Sequence, residues 1–343
     1  MKAWVIDRIT DLTKDDKPLK IIEMQVPEPK PGEVLLKVKV CGICHTEIDE
    51  IEGRTAPPEF PVVPGHQIVG TVEKHLGSRK DIKTGDRVGV GWIFSACGHC
   101  EFCRTGNENL CTEFLATGRD RNGGYAEYVT IPEQSVHKIP DHLTNVEAAP
   151  LLCAGAIGFR SMALSNLKNG DLIGLTGFGA SAHLVLKMIL NQYPESDVYV
   201  FARNPNERKF AMELGCKWAG DTDDNPPEKL HAIIDTTPVW RPVLSAMERL
   251  RPGGRLVINA IRKEDYDVNL MRKISYEKHL WMEKEIKSVA NVAGTDIEEI
   301  LKIAATIPLK AEVTSYSFEK ANEALLDIKR QKIKGAKVLV VSD

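Results

Sequence analysis

From Asn145 onward the sequence alternates β-rich and helix-forming stretches with a regularity that few architectures accommodate. Leu172–Thr176 is followed by an Ala/Leu-rich stretch to Leu190, residues 198–201 by 206–214, residues 232–235 by 240–250, and residues 255–259 by a further segment. Strands separated by crossovers of helical length run parallel, and a parallel sheet is covered on both faces. The second half is therefore expected to be a doubly wound α/β domain. Its first strand runs into Gly177-Phe-Gly179-Ala-Ser-Ala182 and then a helix over 183–190. In a strand-turn-helix setting this Gly-x-Gly-x-x-Ala run has a mechanical reading. Gly177 permits the turn, Gly179 lets a pyrophosphate approach the backbone, and Ala182 packs helix on sheet. The bland alternative is an ordinary glycine turn.

The first half reads differently. Up to roughly Leu143, short β-rich runs (34–40, 68–72, 87–90, 126–131) are punctuated by Gly and Pro at 29–32 and 61–65. This half is expected to be mainly β. After residues 288–293 the strand-helix rhythm stops. Residues 296–304 read as an amphipathic helix, 318–329 as another helix, and 337–341 as a strand able to return to the first domain. A chain of 343 residues also exceeds what one core usually serves, so two domains follow: 1–152 with 293–343, and 153–292. No internal repeat or low-complexity segment is visible.

Composition excludes several classes. The 45 basic and 48 acidic residues leave a formal charge of −3, without the clustered basic surface of a nucleic-acid binder. Charged residues Asp7, Arg8, Asp11 and Asp15 stand where a signal peptide needs an apolar run. The longest charge-free stretches, around 148–159 and 172–186, are too short for a membrane span. A cytoplasmic protein is expected, without nucleic-acid or membrane partners, and in that compartment eight cysteines read as metal ligands or free thiols rather than disulfides.

Cys97-x2-Cys100-x2-Cys103-x7-Cys111 places four of those thiols within fifteen residues, with Gly98, Gly106 and Asn107 between them to allow tight turns. Four thiolates close a tetrahedron around zinc and leave no open position, which suits a structural site. Free thiols, disulfides and an iron–sulfur cluster compete; the spacing lacks the ferredoxin pattern with its terminal Cys-Pro. His99 and Glu101 are expected on the loop surface, since four sulfurs complete the shell.

Two further segments, Cys41-Gly-Ile-Cys44-His45-Thr46-Glu47 and Gly65-His66-Gln67-Ile-Val-Gly70, each carry possible ligands beside glycines. Together with the cysteine lobe, Gly123-Gly-Tyr-Ala-Glu-Tyr-Val129 and Ala148-Ala-Pro-Leu-Leu-Cys153-Ala-Gly155, they resemble the zinc-dependent alcohol dehydrogenases of the medium-chain dehydrogenase/reductase superfamily. The resemblance spans essentially the whole chain. It implies a GroES-like, mainly β catalytic domain plus a Rossmann cofactor domain, and two zinc ions per chain. Cys44, His66 and Cys153 would hold the catalytic ion and Cys97, Cys100, Cys103 and Cys111 the structural one. A Cys2His set with water or substrate in the fourth place is a known catalytic arrangement. Cys41 and Cys216 are left as small core residues.

The resemblance further implies hydride transfer between an alcohol or aldehyde and a nicotinamide dinucleotide, with zinc as Lewis acid. Thr46 would take the first step of the proton exit and Asp49 would stand where many relatives end the relay in a histidine; a surface carboxylate is the alternative for Asp49. His45 would reach the pyrophosphate, or else be an exposed loop histidine. Gln67 stands where the family has glutamate. Glu47 replaces the usual aspartate that orients the ligand histidine, and its extra methylene bears on that hydrogen bond. Trp92 and Ile93 are candidates for the alcohol pocket, favouring small or flat primary alcohols over bulky secondary ones, or for core packing. Ala202 and Arg203 end the second strand where an NAD-selective fold has an acid, so NADP is preferred over NAD, with Arg208 nearby on the helix. The rival activity is a polyol or threonine-type dehydrogenase with the same ligands. A homo-oligomer, tetramer or dimer, is implied by the resemblance alone.

Overall fold

The computed structural model describes residues 1–307, 309–330 and 335–342. The chain divides into two compact units, Met1–Cys153 with Val292–Asp343, and Ala154–Asn291.

The unit Ala154–Asn291 holds a six-stranded parallel sheet. Across it the strands run Trp218–Gly220, Asp197–Phe201, Leu172–Thr176, Leu230–Asp235, Leu250–Ile258, Glu285–Ser288. In sequence order this is 3-2-1-4-5-6, and the order reverses between the first and fourth strands. Val, Ile and Leu dominate the central strands because helices cover both faces: Ile173, Leu175, Val198, Val200, Ile233 and Ile234 are all buried. The helix after the first strand covers Ala180–Gln192, longer at both ends than the 183–190 stretch read from the sequence. It starts early because extended Gly179 already serves as its N-cap. The outermost strand, Glu285–Ser288, is exposed along its whole length.

In the other unit the central strand is Glu33–Ile43. It pairs antiparallel with Gln67–His75 on one side and, at opposite ends of the other side, with Tyr128–Pro132 and Ala336–Val340. Arg87–Val90, Val136–Lys138 and Val313–Ser317 complete the sheet. The burial of Glu33–Ile43 alternates strictly until its last residues, where Val40 to Ile43 are all buried. The tail returns here as expected, with Leu339 opposite Cys41 and Val338 opposite Gly42.

One helix differs from its sequence reading. Residues 318–329 divide into a 3-10 turn, Phe318–Lys320, and a helix, Ala321–Lys329. The Phe318 carbonyl accepts from the Trp4 indole N–H at 2.8 Å, so the first turn is anchored to the N-terminal strand instead of continuing the α-helical ladder. No helix among the described residues is long and apolar enough to cross a membrane.

Candidate functional site

Three separate pieces of chain bring Cys44, His66 and Cys153 together. Cys44 directly follows the central strand and is the N-cap of the helix His45–Ile51. His66 follows Gly65, whose φ of +97° turns the chain into the strand Gln67–His75; a Cβ at Gly65 would lie 2.3 Å from the Tyr125 ring and 2.8 Å from Cys41 Sγ. Cys153 follows the 3-10 helix Ala149–Leu152. The ligand atoms of the three residues all lie within 4.8 Å of one another, and Cys44 Sγ is 3.8 Å from His66 Nε2. Around a tetrahedral zinc, sulfur and nitrogen ligands sit about 3.6 Å apart, so the set matches such an ion in both donor type and spacing.

Glu47 couples two of these ligands. It is the third residue of the helix, and its Oε2 accepts from the Cys44 backbone N–H at 2.8 Å, closing a capping box. Its Oε1 lies 2.9 Å from His66 Nδ1, in ion-pair contact although off the hydrogen-bond axis. The extra methylene relative to aspartate therefore still reaches the ring. Burial alone would lower the His66 pKa, but the Glu47 carboxylate and the Cys44 sulfur outweigh it and raise it well above the usual range. The Cys153 thiol alongside, together with burial, pushes the Cys44 thiol up.

The surroundings sort the remaining expectations. Thr46 is buried and His45 exposed. Asp49 is not a surface carboxylate: it is 2% exposed and grips Arg54, with Nε and Nη2 both 2.6 Å from Oδ1. Trp92 is buried and stands edge-on to His66, ring centroids 5.1 Å apart, with the Arg119 guanidinium 5.8 Å above its own ring; Ile93 is half-buried. Cys41 and Cys216 are core residues. Gln67 is buried and its amide nitrogen finds no partner among the described residues. The sequence reading passed over Glu50, one turn beyond Glu47. It is 1% exposed, neither oxygen has a hydrogen-bond partner among the described residues, and burial followed by the charge of Glu47 pushes its carboxyl well up. Its i, i+3 spacing from Glu47 was the available signal.

The four-cysteine lobe is a second cluster. The sulfurs of Cys97, Cys100, Cys103 and Cys111 lie within 4.8 Å of one another, and Cys97 and Cys103 are 3.8 Å apart, the sulfur-to-sulfur spacing of about 3.8 Å around a tetrahedral zinc. Backbone amides point at the sulfurs: Cys100 N–H at Cys97 (3.4 Å), Cys103 N–H at Cys100 (3.5 Å), Glu113 N–H at Cys111 (3.4 Å). The amides of His99 and Cys100 pull the Cys97 thiol down to about 6, while burial takes Cys103 up to about 12. His99 and Glu101 are exposed, as expected. His99 does lie within ligand reach of Cys97 and Glu113.

In the other unit, Gly177 has φ +75° and donates to the Phe201 carbonyl at 2.8 Å; a Cβ there would meet Thr236 Oγ1 at 2.9 Å. A Cβ on Gly179 would meet nothing within 4 Å, leaving open the approach to the N-terminus of the following helix. Ala182 is buried against the sheet. Beneath the turn, Thr176 Oγ1 (2.5 Å) and Thr237 Oγ1 (2.8 Å) donate to Asp235 Oδ1, and Lys263 pairs with Oδ2 of the same carboxylate. Ala202 is buried and Arg203 exposed at the end of the second strand. Arg208 does more than solvate its helix: Nη1 donates to the carbonyls of Ala202 (2.7 Å) and Arg203 (3.0 Å) and lies 3.5 Å from Asp221.

Residues 30–141 match the family described as "Alcohol dehydrogenase GroES-like domain". Over 99% of its length the chain is 38% identical to a Mycobacterium tuberculosis protein named "Probable alcohol dehydrogenase AdhA", 97% of which is covered. It is 32% identical to an alcohol dehydrogenase of Geobacillus stearothermophilus across the whole of both chains. Among solved structures it superposes on a cinnamyl alcohol dehydrogenase of Sorghum bicolor with a TM-score of 0.83 at 25% identity, over 99% of this chain and 97% of that one. With the GroES-like and Rossmann folds, the identity over full length and the two cysteine clusters all in agreement, the chain belongs to the zinc-dependent alcohol dehydrogenases of the medium-chain dehydrogenase/reductase superfamily.

Proposed function

We propose that this protein interconverts alcohols and aldehydes by hydride transfer with a nicotinamide dinucleotide, using zinc held by Cys44, His66 and Cys153. The observation that carries the reading is the convergence of two thiols and one imidazole, with Glu47 on the far nitrogen of that imidazole. Three ligands leave one of four positions for substrate. When bound, zinc supplies a Lewis acid to the substrate oxygen and the dinucleotide accepts or donates the hydride.

The chain's own residues supply the rest. The Glu47 carboxylate beside His66 Nδ1 favours a proton on that nitrogen and so leaves Nε2 to present its lone pair. The raised thiol of Cys44 ties metal uptake to proton release. Thr46, whose hydroxyl both donates and accepts, is the first carrier of the alcohol proton, and the Arg54-held Asp49 is the next group we assign to that path. An unchanged pH–rate profile in Asp49→Asn removes Asp49 from it. Trp92, packed against His66, and Ile93 form a wall that favours small or flat primary alcohols. Cys97, Cys100, Cys103 and Cys111 hold a second, structural zinc. Gly177, Gly179 and Ala182 seat the dinucleotide and His45 reaches its pyrophosphate. Arg203 receives a 2′-phosphate, with Arg208 bracing the Ala202–Arg203 backbone, so NADP is the preferred cofactor.

We further assign the protein to the cytoplasm, where its thiols stay reduced, and to a homo-oligomer. The exposed edge strand Glu285–Ser288, beside exposed Tyr276, Trp281 and Met282, supports self-association, and sedentary monomer in sedimentation at micromolar concentration refutes it. The test of the whole reading is a metal-replete screen with NAD and NADP against primary and secondary alcohols, aldehydes, sorbitol and threonine. Turnover of primary alcohols or aldehydes and two zinc ions per chain are expected. Faster turnover of sorbitol or threonine transfers the protein to the polyol or amino-alcohol class, and no turnover at all sinks the proposal.

A further inference from the structure

The second strand of the parallel sheet ends in Ala202 and Arg203, so the acid that reads a dinucleotide's ribose at that point is missing from the strand. An acid nevertheless reaches the place from the next element. Glu207 lies in the first turn of the helix Pro205–Glu213 and is half-buried. Burial pushes its carboxyl up, and the Phe178 backbone amide, between the two glycines of the turn, and the Arg203 charge partly hold it down. Ring packing fixes the same juxtaposition, since Phe178 and Phe210 stand edge to face with centroids 5.7 Å apart, tying helix to turn. Arg208 cannot offset this acid freely, because its guanidinium is engaged by two backbone carbonyls and Asp221.

We infer that Glu207 is a specificity-determining residue, reading the 2′ position of the adenosine ribose from the helix in place of the strand. A carboxylate there accepts a hydrogen bond from a 2′-hydroxyl. It repels a 2′-phosphate, and it partly neutralises the Arg203 guanidinium that the phosphate needs. Arg203 and Glu207 thus pull in opposite directions, and the acid sets a ceiling on the preference for NADP. The inference rests on the reading of this turn as a dinucleotide site, and goes beyond it in naming which residue limits the choice.

The test uses the zinc-replete protein with no alcohol or aldehyde present, so that nucleotide binding is read without turnover. NADPH and NADH are titrated by nicotinamide fluorescence into wild type, Glu207→Gln and Glu207→Asp. In Glu207→Gln the ratio of the two dissociation constants moves about tenfold toward NADPH. Glu207→Asp keeps the charge, withdraws it by one methylene, and moves the ratio less in the same direction. Thermal melts establish that each variant is folded, and the aspartate variant carries the test if the glutamine variant is not. A ratio within about twofold of wild type in a folded Glu207→Gln, or a shift toward NADH, overturns the inference. The readouts are separable: the wild-type ratio tests Arg203, the change in that ratio tests Glu207, and a wild type that binds neither nucleotide overturns the dinucleotide site and the inference with it.

Discussion

The two cysteine clusters use the same atoms for opposite ends. In the lobe, four sulfurs come from fifteen consecutive residues, and short-range backbone amides aim at them. At Cys44, His66 and Cys153 the ligands come from a strand end, a glycine turn and a 3-10 helix, and a side chain, Glu47, does the aligning. A local cluster closes its own shell and depends little on the rest of the chain. A dispersed one leaves a position open, and its geometry is only as good as the packing of three elements. Chemistry belongs to the second kind, and reinforcement of a loop to the first.

That contrast breaks most visibly in His66→Ala. Activity falls about 10³-fold, near 4 kcal/mol of barrier, while elemental analysis still finds the lobe's zinc. A variant that keeps a tenth of wild-type activity removes the distinction between the clusters. Next in size, Cys103→Ser costs about 3 kcal/mol of stability, roughly 6–12 °C in Tm, yet leaves kcat/KM of the folded protein within about threefold of wild type. A melt unchanged within 2 °C (an assay margin, about 1 kcal/mol) shows that the lobe reinforces nothing. Glu47→Gln sharpens the comparison by separating ligand from aligner: zinc affinity at the open site drops about 10–100-fold in chelator competition, with the lobe's metal unaffected. Equal loss at both sites refutes the assignment of Glu47 to His66. The smallest effect is a pH ranking within the metal-stripped lobe. At neutral pH the Cys97 thiol, pulled down to about 6, is largely ionised, whereas Cys103, near 12, is not. Iodoacetamide should label Cys97 first, at a rate that drops as pH falls below 6, and its lead over Cys103 should narrow as pH rises toward 12; mass spectrometry that finds Cys103 labelled first contradicts the amide arrangement.

What the sequence disclosed follows the same division. The lobe was legible because its ligands are neighbours, and the parallel sheet because strand and crossover lengths repeat. The open site was legible only through its flanking glycines and the family resemblance. Glu47 shows why the rest was hidden: whether one more methylene still meets the imidazole depends on where the helix starts, and a capping box with Cys44 decides that. Glu50 and Glu207 were missed for a related reason. Each looks like an ordinary helix carboxylate until packing shows Glu50 buried with no hydrogen-bond partner among the described residues, and Glu207 half-buried on a helix packed against the glycine turn. The 318–329 segment was misread because a tryptophan from the fourth position of the chain claims a carbonyl that local periodicity assigns to the helix.

The strand Ala336–Val340 lies alongside the end of Glu33–Ile43, with Lys337 opposite Ile43, immediately before Cys44. The neighbouring segment that shapes the first ligand's position is therefore synthesised long after the ligand itself. The cysteine lobe is complete within its own fifteen residues, whereas the strand end before Cys44 gains this neighbour only when the tail arrives. A nascent chain arrested before residue 336 would therefore carry a finished lobe while the strand end leading to Cys44 still lacked that support.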